Sequence, residues 1–131
     1  MIFNLTVWLW QLPQHLLGLF LIKILKAEKI EIIDLPIYWA ANWNAGISLG
    51  IYIILRHGER KNTILHEYGH SIQSMYLGPL YLLLVGIPSA LFCNLWDRVF
   101  HRKWDTRDRI VWYHSRYPEN WANRLGGVEY V

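Results

Sequence analysis

From Ile2 to Leu25 hydrophobic residues run almost unbroken, interrupted chiefly by Asn4, Gln11, Gln14, His15 and Lys23. As one helix this stretch is about 36 Å long, enough to cross a bilayer. Pro13 predicts a kink, and Gln11, Gln14 and His15 around it predict a polar patch at mid-depth, facing protein or a wet cavity. For His15 an internal hydrogen bond is preferred over a functional role. Lys23, Lys26 and Lys29 follow with nothing basic before them, which by the positive-inside rule puts the end of this helix in the cytoplasm. The long apolar stretch and the lack of a small-residue cleavage site predict that the segment is retained rather than removed as a signal peptide.

Over residues 29–55 the pattern turns extended. Ile30-Glu31-Ile32 alternates, Pro36 breaks, and Asn42 to Gly46 offers a turn, predicting a hairpin or small sheet. Residues 48–55 read as its last strand, and Arg56 to Lys61 as a solvated turn that includes His57. Asn62 or Thr63 then caps a helix over 62–76. Residues 77–96 form a second apolar segment, divided by Gly86 and Pro88, that either spans the membrane as a kinked helix or is re-entrant. After Asp97 the chain is polar and basic, including His101, and reads as a surface touching anionic lipid. Pro118 opens a short last helix, ended by a glycine pair.

These elements predict one α+β membrane unit over residues 1–131, with its parts at 1–25, 29–55, 62–76, 77–96 and 97–131. Composition agrees: 53% of residues are hydrophobic, and eight Trp and eight Tyr suit interfacial belts. A formal charge of +3 with 18% charged residues, scattered rather than grouped, argues against a nucleic-acid partner and is sufficient for lipid headgroups. Cys93, the single cysteine, lies in an apolar run and is read as a buried structural thiol.

The chemistry concentrates in His66-Glu67-Tyr68-Gly69-His70. Helix positions i and i+4 share a face, so both imidazoles can reach one metal ion, and zinc is the expected one. Glu67, beside the ion without ligating it, stands where a base takes a proton from metal-bound water. A catalytic zinc needs a third protein ligand and an open position. Of the later carboxylates, Asp97, Asp105, Asp108 and Glu129 stand in unpatterned surroundings, whereas Glu119 starts Glu-Asn-Trp-Ala-Asn on a predicted helix and shares a face with Asn123.

H-E-x-G-H followed by E-x-x-A resembles the gluzincin clan, and within it the CAAX prenyl protease and heat-shock membrane protease families. The resemblance implies an integral-membrane zinc metalloendopeptidase with His66, His70 and Glu119 as ligands and Glu67 as base. It also implies that residues 48–55 form the strand that pairs with an extended peptide substrate. Asn123 stands where that pattern has an Asp that accepts from a ligand histidine; it accepts through its amide oxygen, without charge. Of Tyr113, His114, Tyr117 and Arg124 near Glu119, His114 and Tyr117 are favoured as oxyanion donors. Gln73 is read as a helix-to-helix hydrogen bond.

The implied partners are membrane lipid and a peptide or membrane-protein substrate, with the site toward the cytoplasm; oligomeric state stays open. If Glu119 completes the site, residues 77–96 are a pair of half-helices broken at Gly86-Ile87-Pro88, or they cross and residues 104–117 climb back; the first is favoured. Two other readings stand beside the peptidase. One is a non-catalytic adaptor with a structural zinc, which gains nothing from Glu67. The other is a site-2-type intramembrane protease, whose Leu-Asp-Gly-like motif is missing.

Overall fold

The computed structural model describes residues 4–32, 35–41 and 46–128. Glu129 and the turn residues 42–45 lie outside the described residues. Two helices come first, α1 (Leu5–Trp10) and α2 (Leu12–Leu25). Asn4 caps α1, its Oδ1 accepting from the N–H groups of Thr6 at 2.9 Å and Val7 at 3.3 Å. The single helix expected over residues 2–25 is thus two, broken at Gln11 rather than kinked at Pro13. Proline is tolerated in a first helical turn but collides with the preceding turn of a continuous helix, so α2 restarts just ahead of it. At 14 residues, α2 is shorter than the roughly 20 that cross a bilayer alone.

Gln11, Gln14 and His15 face protein. Gln14 Nε2 donates to Ser74 Oγ and to the Gly78 carbonyl, both at 2.8 Å, and Ser74 Oγ donates to Gln11 Oε1 at 2.6 Å. His15 Nδ1 donates to the Trp8 carbonyl at 2.8 Å while Nε2 accepts from the Ile51 N–H at 3.1 Å, so both ring nitrogens are committed.

Strands β1 (Glu28–Ile32), β2 (Leu35–Ala40), β3 (Ile47–Leu49) and β4 (Tyr52–Arg56) form, among the described residues, a sheet of order β1-β2-β4-β3. β2 and β4 are parallel; the outer pairs are antiparallel. The strand expected over residues 48–55 is therefore a hairpin. Gly50, at φ 71°, takes a left-handed turn that few other residues accept, and the chain doubles back there. This puts β3 at the sheet edge. Ile37, Ile53 and Leu55 bury one sheet face against Ile64 of α3 (Lys61–Leu77), with Trp39 and Tyr68 packed around them. Each such side chain contributes about 1.5–3 kcal/mol of burial and so seats α3 on the sheet. The expected Asn62 or Thr63 cap is not used: Arg60 holds the cap position with extended backbone and makes no side-chain cap bond.

Past a 3₁₀ turn at Gly78–Leu80 the chain forms one helical run, α4 (Leu82–Phe100). It replaces the half-helices expected on either side of Gly86-Ile87-Pro88. The run is π-helical over Leu82–Gly86 and Pro88–Leu95, and the Ile87 N–H bonds the Leu82 carbonyl. Wider turns accommodate the proline without ending the helix.

Of the second route, the return of the chain is seen: α5 (Thr106–His114) and the turn after it climb back along α4. Arg109 pairs with Asp97, Tyr113 bonds Asn94, the Tyr117 carbonyl accepts from Cys93, and Glu119 meets Ser89. His101 is a correction to the solvated surface expected around it. It is buried, stacked on Trp104 at 3.7 Å, with Nδ1 3.2 Å from the Asp97 carboxylate that Arg109 also holds. The last helix is α6 (Glu119–Gly126).

Candidate metal centre

His66 and His70 lie one turn apart on α3, and each directs Nε2 at the same oxygen of Glu119, Oε2, at 2.8 and 2.9 Å. All three residues are buried, and their potential ligand atoms lie within 4.8 Å of one another. The opposite ring nitrogens are held as well. His66 Nδ1 is 2.6 Å from Asn123 Oδ1, and His70 Nδ1 is 2.7 Å from Gln73 Oε1. Both amides are oriented by their far ends: Asn123 Nδ2 donates to His114 Nδ1 at 3.0 Å, and Gln73 Nε2 donates to the Pro118 carbonyl at 3.0 Å. Amide oxygens therefore face both ligand histidines, which puts N–H on each Nδ1 and leaves each Nε2 with its lone pair.

Two imidazole lone pairs thus converge on a carboxylate oxygen, acceptors on an acceptor at hydrogen-bond distance. One cation bound by all three atoms resolves both conflicts at once, so this donor set fits a divalent metal ion. Without one, protons must substitute. Burial works against charge on His70, but the Glu119 carboxylate, helped by Glu67, overrides it and raises its pKa to about 9. Burial alone would raise Glu119, yet the two histidines hold it well below the usual carboxylate range. A proton on His70 must leave before a metal binds. Below pH 9 the apparent affinity for Co²⁺ should therefore rise about tenfold per pH unit, and calorimetry in buffers of different ionisation enthalpy should detect the released proton.

Backbone contact between α3 and α6 brings these residues together. A Cβ on Gly69 would stand 1.8 Å from the Ala122 carbonyl oxygen, and one on Gly126 1.9 Å from that of Leu65. Only two glycines allow the helix backbones to touch, and that contact carries Glu119, in the first turn of α6, onto the histidine pair. Gln73, expected to make a helix-to-helix hydrogen bond, instead reaches the carbonyl of Pro118, the residue just ahead of α6, and orients a ligand histidine.

Glu67 is buried on α3 without joining the ligand cluster. Its Oε2 lies 2.8 Å from Ser48 Oγ, whose single proton is shared with the Glu67 carbonyl at 2.6 Å. A side chain on residue 46 would stand 2.8 Å from Oε1, so Gly46 keeps the space before that oxygen clear. Glu67 and His70 open into a cleft of about 810 Å³ between β3 and α4, with Ile47, Leu49, Ile87 and Tyr113 among its walls. Tyr81 Oη braces β3 by donating to the Ser48 carbonyl at 2.9 Å.

The structure does not bring Tyr117 to the site: its ring is half exposed and its hydroxyl donates to the Leu84 carbonyl at 2.6 Å. His114 packs behind His66 and lines a separate cavity of about 210 Å³ with Asp97 and Arg109. Burial and the neighbouring His66 lower its pKa to about 4. Tyr113 lines the main cleft, as do Ser48, Tyr81 and Ser89, whose hydroxyls are engaged by Glu67, the Ser48 carbonyl and Glu119. Burial, with the carboxylates of Glu119 and Glu67 adding, pushes the Tyr113 phenol well above the usual range, so it remains an O–H donor. Ser48 and Ser89 are the other polar groups that sequence reasoning passed over; the signal for Ser89 was a hydroxyl inside an apolar run.

No family model, curated protein or solved structure matches the chain. What the site can do rests on its own geometry. It offers a buried cluster able to hold a metal ion, a non-ligating carboxylate beside it, a phenol, and an apolar cleft open to both.

Proposed function

We propose that this chain is a zinc-dependent endopeptidase acting at or in a membrane. The observation that carries the reading is Glu67: a buried carboxylate next to a three-ligand cluster, excluded from it, and facing the same cleft as His70. A purely structural metal site has no use for such a group. Two imidazoles and one carboxylate, leaving a position open, are a donor set typical of catalytic zinc. Zinc held there supplies Lewis acidity and lowers the pKa of a coordinated water.

The chain's own residues do the rest. With Ser48 holding Oε2, Oε1 of Glu67 takes a proton from the attacking water and returns it to the departing amine. Tyr113 donates to the developing oxyanion from the cleft wall. Asn123 and Gln73 keep the ligand histidines in one tautomer. The apolar cleft excludes water, and β3, a sheet edge along it, suits an extended peptide.

The membrane part of the reading rests on surface chemistry. α4 is 19 residues long, and only 11% of its apolar window is buried. Leu83, Phe92, Val99 and Phe100 on α4, and Leu9, Leu16 and Phe20 on α1 and α2, are all more than half exposed. Apolar surface on this scale calls for lipid or a partner chain. The test is cleavage of quenched-fluorescent peptides with apolar residues by the purified chain in lipid vesicles, alongside metal analysis of wild type, His70→Ala and Glu119→Ala. The expected result is one Zn²⁺ per wild-type chain, loss of metal in both variants, and cleavage that a chelator stops and Zn²⁺ restores. A fully metal-loaded chain that cleaves no peptide would mark a structural site and overturn the reading.

A further inference from the structure

The two oxygens of Glu119 have different partners. Oε2 faces both ligand histidines, whereas Oε1 accepts a hydrogen bond from Ser89 Oγ on α4. Glu119 is fully buried, so neither oxygen has bulk water as an alternative. A buried carboxylate oxygen that loses its donor carries a large desolvation cost and turns to whatever positive group is nearest. Here that group is a metal bound at the cluster.

We infer that Ser89 is a positioning residue that restricts Glu119 to one-oxygen binding and so keeps a coordination position open for the reaction. This inference rests on the metallopeptidase reading and deepens it. Ser89 is itself fixed. It lies in the π-helical part of α4, and its carbonyl accepts from Asn94 Nδ2 at 2.9 Å, holding the backbone of that turn. Anchoring α4 is not the hydroxyl's task. Tyr117 Oη to the Leu84 carbonyl, Cys93 Sγ to the Tyr117 carbonyl, and the Asp97–Arg109 pair join α4 to the returning chain without it. Ser89 is the one among these links that ends on a ligand atom.

Removal of the hydroxyl should therefore change coordination rather than fold. In Ser89→Ala, Oε1 loses its donor and moves onto the metal, filling the open position. The experiment loads wild type, Ser89→Ala and Ser89→Thr with Co²⁺ and reads the visible absorption, whose intensity falls as four-coordination gives way to five. Peptide cleavage by the Zn²⁺ forms and circular dichroism are measured alongside. The expected outcome is intense four-coordinate bands for wild type and Ser89→Thr, and weak five-coordinate bands for Ser89→Ala. The same variant should show kcat about 10–100-fold lower with KM little changed and helix content intact.

If Ser89→Ala gives the wild-type Co²⁺ spectrum and rate, the inference is overturned while the metallopeptidase reading stands. It is equally overturned if Ser89→Ala loses kcat with an unchanged spectrum, since the hydroxyl then acts otherwise than on Glu119. If wild type binds no Co²⁺, the metal reading and the inference fall together.

Discussion

Glu67→Gln should bind zinc as wild type does and cleave peptide about 10²–10⁴-fold more slowly. Glutamine keeps the size and shape of the side chain, and none of the ligand atoms belongs to residue 67. Ser48 Oγ, 2.8 Å from Oε2, can still donate to an amide oxygen, so the local packing survives. What disappears is a group able to accept a proton at Oε1 and pass it on. The effect should fall on kcat, because the side chain's contribution is made in the transition state rather than in binding. Metal analysis and steady-state cleavage on the same preparation decide it. Undiminished kcat in a zinc-loaded Glu67→Gln chain would remove the base from the mechanism, and with it the observation on which the proposed function stands.

Part of this site was legible in the sequence because helix geometry is short-ranged. A spacing of four from His66 to His70, and of four from Glu119 to Asn123, puts each pair on one helical face regardless of the rest of the chain. Asn123 looked like a weakened aspartate; the structure gives it a reason. Its side chain accepts from His66 and donates to His114, and a carboxylate could not donate. Long-range features were hidden. Tyr113 and Tyr117 also sit four apart, but α5 stops at His114, so one ring stays in the cleft and the other turns outward to Leu84. A lone glycine at residue 50 gave little warning that one strand was two. Pro88 looked like a break because local rules give α-helical turns, whereas the chain absorbs it in π-helical ones. Ser89 reaches Glu119 across thirty residues, which no local pattern records.

Gly69→Ala should do nearly as much damage as removing a ligand, although Gly69 supplies no ligand atom. The added methyl would lie 1.8 Å from the Ala122 carbonyl oxygen, an atom of helix backbone with no rotamer by which to escape. The helices must part by more than an ångström to restore ordinary contact. α3 is seated on the sheet by Ile64 and Tyr68, so α6 is the element that gives way, and Glu119 moves with it. A displacement of about 1 Å at a reacting centre costs on the order of a hundredfold in rate, and overpacking costs about 1–3 kcal/mol of stability. Gly126→Ala, at 1.9 Å from the Leu65 carbonyl oxygen, should reproduce both effects from the opposite helix. The decisive measurement is zinc affinity by competition with a chromogenic chelator, set against circular dichroism. Folded Gly69→Ala protein with weakened zinc binding identifies the glycine of the H-E-Y-G-H motif as the point of closest helix approach. Wild-type affinity and rate in both alanine variants would show that Glu119 reaches the histidines without backbone contact between α3 and α6.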